Sequence, residues 1–382
     1  VSKNKQSDPK KTDNSAIEDK LTDFRRSIDS LDKQILQLLN ERAKVAQEIG
    51  LLKNGHDTDY YIPSREKDIL ERLCDTNTGP LPADAIRSVF REVISACRAL
   101  ETQLAIAYLG PEGSYHHCAA QVHFGRSAQF LPIQTINGIF DEVERERADY
   151  GIVAIENSSE GSLGFTLDRL VHSQVRIVGE VFLPIMHNLI SFSELHEIDK
   201  VYSHPQALAQ CRHWLESNLS KARLIDCAST THGVKMCKED RNAAAVASVL
   251  AAEIGDVPIQ VHSIEDFSGN TTRFFIISRN PVPPSGDDKT SLVVFVRDRT
   301  GALHDMLEPF KICGVNLTNI VSRPIKQEAW QYMFFLECQG HIENEILVET
   351  LEEIEKKSLY VKTLGSYPRA YTKNGDSSIE NS

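Results

Sequence analysis

The sequence predicts a multidomain chain: an all-α domain, then an α/β domain, then a small α+β domain. Three observations carry that expectation. From Ile17 to about Gln103 apolar residues recur every three or four positions, the period of a helix. From Leu104 to about Ser278 short β-rich runs alternate with helical stretches, as in a sheet with crossover helices. After the stiff, polar segment Arg279–Asp288 (RNPVPPSGDD) the pattern becomes β-α-β-β-α-β. The expected boundaries are a disordered tail at 1–15, domains at 16–103, 104–280 and 289–370, a linker at 281–288 and a second tail at 371–382. A length of 382 residues accommodates two or three domains.

The first helix carries the sharpest periodicity. Ile17, Leu21, Phe24, Ile28, Leu31, Ile35, Leu38, Arg42, Val45, Ile49 and Leu52 alternate in steps of four and three. Such a heptad seam runs for roughly 54 Å of helix, too long to be buried against one small domain. It should pack along a second copy, giving a homodimer that could pair again into a tetramer. Two shorter helices follow, from Ser64 to about Cys74 and from about Pro82 to Gln103. Arg42 occupies a seam position that should be apolar, and a buried guanidinium must be paired. It either sets the register against a partner glutamate or belongs to an anion site inside the bundle. Lys53, three turns on, faces the same way; Arg25 lies on another face and could serve the partner's site. Arg65 and Glu66 open the second helix and Glu101 ends the third.

In the α/β region, LAIAYLGPEGSYHHCAA reads as a strand, a tight turn and a helix opened by Ser114. YGIVAIENSSEG places Glu156, Asn157 and Ser158 just past a buried strand. KVYSHPQALAQC repeats the arrangement with Ser203, His204 and Pro205, and carries Gln210. EDFSGNTTRFFIIS puts Thr272 and Arg273 immediately before another strand. Polar residues at the carboxyl ends of strands mark the binding crevice of open α/β sheets, and three such clusters exceed what turns alone require. In the last module Leu292–Arg297 forms a strand, Gly301-Ala302-Leu303 opens a helix, and VSRPI and WQYMFFLEC make the next two strands.

Composition narrows the function. A formal charge of −12 argues against nucleic acid and anionic membranes as partners, because neither attracts a polyanion. An anionic ligand should then be held by local basic groups. Eight scattered cysteines, with no C-x-x-C and no zinc-ligand spacing, point to a reducing, cytoplasmic setting and to no metal site. The first residues, VSKNKQSDPKKTDNS, lack the apolar core of a secretory signal. The longest apolar stretch, Ala243–Ala252, falls far short of the ~20 residues that span a bilayer.

LTDFRRSIDSLDKQILQLLNERAKVAQEIGLLK and SREKDILERL resemble the all-helical chorismate mutase family over nearly the whole of 17–103. The resemblance implies a dimer that surrounds a dianionic substrate with Arg25 (crossing from the partner), Arg42, Lys53 and Arg65, with Glu66 at the substrate hydroxyl. Glu101 falls beside the ether oxygen, where its protonated form would donate a hydrogen bond. Ile62 and Cys97 depart from residues common in the family. A Claisen rearrangement suits this set: it needs no nucleophile, only clamped carboxylates and charge stabilisation at the ether oxygen.

GPEGS, ENS, SHPQ and Thr272-Arg273-Phe274 together resemble the prephenate dehydratase family across essentially all of 104–280. This implies a bilobed, periplasmic-binding-protein-like domain with its site between the lobes. Asn157, Ser158, Gln210, Thr272 and Arg273 would lie in or beside that site, Ser114, Ser203, Glu156 and His204 would add contacts, and neither cofactor nor metal is implied. Thr272 could donate a hydrogen bond to the departing ring hydroxyl. The last module resembles a ferredoxin-like ACT regulatory domain through Gly301, Ala302, Leu303 and Ser322, Arg323, Pro324, with Val321 where the family carries glutamate. Its implied ligand is phenylalanine, bound between paired domains. Jointly the resemblances imply an enzyme that takes chorismate to prephenate and prephenate to phenylpyruvate. Arogenate as the preferred dehydratase substrate, or a non-catalytic amino-acid sensor, are the competing expectations.

Overall fold

The computed structural model describes residues 9–53, 63–159, 161–162, 164–324 and 331–370. The Lys53 and Pro324 side chains, Ile62 and the tail at 371–382 lie outside the described residues. Three helices open the chain: α1 (Pro9–Lys53), α2 (Pro63–Asp75) and α3 (Ala83–Glu101). The chain divides into two compact units, Val1–Tyr60 with Ala96–Thr102, and Tyr61–Ser95 with Gln103–Ser382.

In the first unit, α1 starts at Pro9, eight residues before the expected Ile17. Proline's fixed φ and missing N–H suit a first helical turn, so the polar segment behind it extends the helix instead of ending it. Leu21, Phe24, Ile28, Leu31, Ile35 and Leu38 remain 47–66% exposed in the single chain. Near the other end of α1 the backbone of Gly50 closes on α3: a Cβ there would sit 3.1 Å from the Glu101 Cα. Ala46, Cys97 and Arg98 are buried in the same unit.

The second unit begins, after α2 and most of α3, with an α/β lobe. Its elements are β1 (Ala105–Leu109), α4 (Tyr115–Phe124), β2 (Gln129–Ile133), α5 (Ile136–Glu144), β3 (Tyr150–Asn157), β4 (Gly161–Ser162), α6 (Gly164–His172) and β5 (Arg176–Pro184). The chain then crosses to a second lobe of β6 (Asn188–Ser191), β7 (Lys200–Ser203), α7 (Pro205–Gln210), α8 (Arg212–Asn218), β8 (Arg223–Asp226), α9 (Thr230–Glu239), β9 (Ala243–Ala247), α10 (Val249–Gly255) and β10 (Ile259–Val261). It returns to the first lobe as β11 (Thr271–Ser278). The first sheet runs β2-β1-β3-β11-β5, with β4 on β3, and β11 is antiparallel to both neighbours. The second runs β10-β6-β9-β7-β8. β11 is buried from Thr272 to Ser278, which is why FFII reads as a continuous apolar run and not as an alternation.

The third sheet is built from β12 (Asp288–Arg297), β13 (Leu317–Pro324), β14 (Gln331–Gln339) and β15 (Tyr360–Pro368), with α11 (Ala302–Ile312) and α12 (Glu345–Lys357) between them. Its order is β13-β14-β12-β15, antiparallel throughout. Leu292, Val294 and Leu336 turn to Met306, Phe310, Leu347 and Ile354 of the two helices. The alternate residues Val293 and Phe335, with Leu364 and Tyr367, join the core of the first lobe, around Ile152, Ile177 and Phe275. A sheet with helices on one face must bury its other face as well, so the third sheet and the first lobe share one core across the linker. A Cβ on Gly365 would run into the Ile177 backbone, so the close approach of β15 requires glycine. The linker is docked too: Val282 is buried in the shared core, and its carbonyl accepts from His341 Nε2 at 3.1 Å.

Candidate active sites

A cavity of about 300 Å³ opens between the two lobes, lined by the carboxyl ends of β1, β3, β7 and β8 and by both crossing segments. The strand ends deliver Ser114, Asn157 and His204, and the crossings deliver His187, Asn270 and Thr272. Among the described residues, no lysine, arginine, aspartate or glutamate lines it. The local basic groups that do line it are the imidazoles of His116, His187 and His204. The rest of its polar wall consists of hydroxyls and amides, together with the N-terminal turns of α4 and α9. Ser114 and Ser229 cap those turns, each accepting a backbone N–H.

One chain of side-chain hydrogen bonds fixes the wall. Asn157 Nδ2 donates to Thr272 Oγ1 at 2.8 Å and to Asn270 Oδ1 at 2.9 Å. Asn157 Oδ1 accepts from the Ser159 amide at 2.9 Å, so this side chain has no freedom left. Asn270 Nδ2 and His187 Nε2 both reach Gln210 Oε1, at 3.3 and 2.8 Å. His187 Nδ1 lies 2.8 Å from the Tyr115 hydroxyl. Burial lowers the His187 pKa and so favours the neutral ring, which can donate at Nε2 and accept at Nδ1. Because Thr272 Oγ1 already accepts from Asn157, its own hydrogen is left to donate. His116 stands edge-on to Phe274, 5.1 Å between centroids, with a buried Nε2 that has no partner among the described residues. Burial pushes its pKa down to about 4.

Of the residues expected here, Ser114, Asn157, His204, Gln210 and Thr272 converge on the cavity. Four do not line it. The Ser203 hydroxyl is buried on the Val246 carbonyl at 2.6 Å, and Ser158 stays at the exposed edge, accepting from the Thr271 amide. Glu156 and Arg273 are cross-strand partners one residue away from Asn157 and Thr272, so the strand's period of two turns them to the opposite face. Tyr115, His116, His187 and Asn270 were missed. Asn270 and His116 adjoin recognised motifs, whereas His187 sits in a plain connecting segment and carried no signal.

In the first unit, Arg25 is exposed, Arg42 is half-buried, and Glu101 packs beside Gly50, one turn before Lys53. In the second unit, Arg65 is exposed, and Glu66 lines a cavity of about 210 Å³ together with Lys67, Arg87 and Arg91. In the third sheet's module, Gly301 has φ +82° at the start of α11, Ala302 is half-buried and Leu303 is 44% exposed. Ser322 is exposed; Arg323 reaches Asp168 of α6 at 3.4 Å and covers Gly164. Val321 packs on the shared core, which suits its apolar side chain.

Comparison with known proteins divides the chain in the same sequence. Chorismate mutase type II matches residues 24–102, prephenate dehydratase 106–282 and the ACT domain 290–356. A bifunctional chorismate mutase/prephenate dehydratase of Aquifex aeolicus is 43% identical over 357 residues, covering 92% of this chain and 99% of the relative. Among solved structures, the prephenate dehydratase of Arthrobacter aurescens in complex with L-Phe aligns with TM-score 0.64 and 32% identity, over 70% of this chain and 90% of its own. GqqA, described as a novel type of quorum quenching acylase, aligns with TM-score 0.64 and 30% identity, over 70% and 98%.

Proposed function

The chain belongs to the bifunctional chorismate mutase/prephenate dehydratase family, and we propose how its residues divide the two reactions. It is an enzyme that rearranges chorismate to prephenate and converts prephenate to phenylpyruvate, with phenylalanine as feedback inhibitor.

The Asn157–Thr272 pair carries the dehydratase assignment. In prephenate the bond to the ring carboxylate breaks, carbon dioxide departs, and the electron pair enters the ring as the aromatic system forms. The ring C–O bond breaks with its pair on oxygen, which takes up a proton from solvent water and leaves as water. Thr272, held by Asn157, donates its hydrogen bond to that oxygen as charge develops on it. The dianion is held by N–H groups at the starts of α4 and α9 and by the oriented amides and imidazoles of the wall. Ser114, His204 and Gln210 contribute to binding, and Arg273 does not touch substrate.

For the mutase, Arg25, Arg42, Lys53 and Arg65 clamp the two carboxylates, Glu66 meets the hydroxyl and Glu101 donates to the ether oxygen. The uncovered α1 seam supports a second copy as its occupant, so that Arg25 serves the partner's site. Phenylalanine binds the ACT domain around Gly301–Leu303 and Ser322–Pro324. The same reading gives domains at 16–103, 104–280 and 289–370, a periplasmic-binding-protein-like lobe pair, a ferredoxin-like third sheet and a cytoplasmic setting.

Adding chorismate to the purified chain tests this. Chorismate absorbance should disappear and phenylpyruvate form, with phenylalanine lowering the yield; Thr272→Ala should stop the sequence at prephenate. Unchanged chorismate, or prephenate untouched by the wild type, would refute the reading. Arogenate offered in place of prephenate measures the substrate preference.

A further inference from the structure

Arg273 follows Thr272 in β11, and its side chain enters the shared core instead of the cavity. The residue is 6% exposed. Its Nη2 meets Glu180 Oε2 of β5 at 2.6 Å and Glu337 Oε1 of β14 at 2.8 Å, and its Nε donates to Glu180 Oε2 at 2.8 Å. The Tyr367 hydroxyl of β15 lies 3.5 Å from Nη2. Lys289 of β12 reaches Glu180 Oε1 at 3.1 Å, and the Ala370 amide donates to the same oxygen at 3.1 Å. Half-exposed Glu156 stands 3.9 Å from Nη1. Phe275 and Phe182 flank the guanidinium, with centroids at 4.9 and 5.6 Å. Two strands of the ACT sheet, β14 and β15, thus meet the residue adjoining Thr272, and a third, β12, reaches it through Glu180.

Two features make this arrangement a transmitter. Glu180 and Glu337 side chains are each 1% exposed, so withdrawing Glu337 would leave a buried guanidinium short of a partner. Groups bound in that way move together or exchange between discrete arrangements. The ladder between β11 and β3 is also irregular between Arg273 and Phe274: Arg273 pairs with Glu156, but Phe274 pairs with Ala154, leaving Ile155 over. A bulge lets one stretch of strand shift while the ladder beyond it holds, and here the stretch that shifts ends in the Thr272–Asn157 pair.

We propose that Arg273 is a positioning residue through which the ACT domain sets the geometry of Thr272, by way of Glu337. The inference rests on the dehydratase reading of the cavity. A ligand-driven change in the third sheet displaces Glu337, Arg273 follows, and the Thr272 hydroxyl leaves its alignment with Asn157.

Glu337→Gln in the full chain tests it, since glutamine keeps the shape and an acceptor but loses the charge. Dehydratase activity at saturating phenylalanine should rise at least roughly fivefold over wild type, the low end of allosteric couplings, with uninhibited turnover within about twofold. Calorimetry should still detect bound phenylalanine. Tyr367→Phe, a milder change that removes one hydroxyl, should move inhibition in the same direction. Arg273→Lys, which keeps the charge but loses the fork, should lower kcat at unchanged KM. Inhibition curves in Glu337→Gln and Tyr367→Phe that superimpose on wild type, or a rise in KM alone in Arg273→Lys, would overturn the relay. A wild type unable to consume prephenate would overturn the dehydratase reading and the relay with it.

Discussion

The Thr272 hydroxyl illustrates how neighbours assign a role to a side chain that is inert alone. Asn157 donates to its oxygen, which leaves the hydroxyl hydrogen available to donate into the cavity. Thr272→Ala should lower dehydratase kcat by roughly 10²–10³-fold, the usual cost of losing one donor at developing oxyanion charge. Asn157→Ala should cost less, about tenfold, because the hydroxyl survives but turns freely. Assays of both activities check this; mutase activity should be unchanged in each variant. His116 offers a second test. It protonates near pH 4 in the folded chain against 6.5 for a free histidine, because burial disfavours the charged ring. Between those values the unfolded chain binds more protons, so stability falls as pH drops from 6.5 towards 4. By pH 5 the loss should be about 2 kcal/mol. His116→Gln should therefore show a smaller drop in thermal midpoint between pH 7.5 and 5 than wild type; parallel profiles would mean that the ring can be protonated in place. Sequence motifs exposed Asn157, Gln210 and Thr272 but also drew in Glu156 and Arg273, because a motif gives adjacency and only the pleat decides the face. His187 was invisible for another reason: its partner Tyr115 is 72 residues away, a pairing created by the fold alone.

At the scale of elements, α1 and β11 mark opposite ends of what the sequence made readable. The α1 heptads were legible because one face of a long helix repeats for many turns, and the helix is there with that face uncovered. Its early start at Pro9 was not, since a polar run carries no periodicity to read. β11 was legible as a strand, but it opens at Thr271 and so takes in Thr272 and Arg273, which the sequence pattern places before it. Its bulge against β3 depends on pairing and leaves no local trace. The exposed seam leads to a prediction. Ile28→Glu with Ile35→Glu places four carboxylates along a twofold seam, where each lost apolar contact already costs about 2 kcal/mol. Sedimentation should find the variant monomeric, with mutase activity lost and dehydratase activity kept. A dimeric variant would mean that the copies meet elsewhere.

The whole molecule is organised by what each part leaves uncovered. The overall charge of −12 suggested that any anionic ligand would need local basic groups, yet among the described residues no lysine or arginine lines the cavity between the lobes. A buried arginine there would need a carboxylate partner whenever the cavity stood empty, whereas fixed amides and helix starts do not. The same reasoning applies to the third sheet, whose second face has no helix and is buried on the first lobe. No residue of that sheet lines the cavity, where the last contact along the chain is Phe274. Truncation after Val282 should therefore leave the cavity lining in place but lower dehydratase turnover, because Arg273 loses Glu337 and Tyr367, and should abolish inhibition by phenylalanine. Stability is another matter. Val293, Met333, Phe335, Leu364 and Tyr367 would no longer cover Ile177 and Phe275. Each such side chain contributes on the order of 1.5–3 kcal/mol, against a total of about 5–15 kcal/mol for a typical domain. The truncated chain should thus unfold at a clearly lower temperature than the full chain, by calorimetry, and bind a dye for exposed apolar surface. An unchanged midpoint would mean that the shared core is not cooperative, and persistent inhibition would move the phenylalanine site into the lobes.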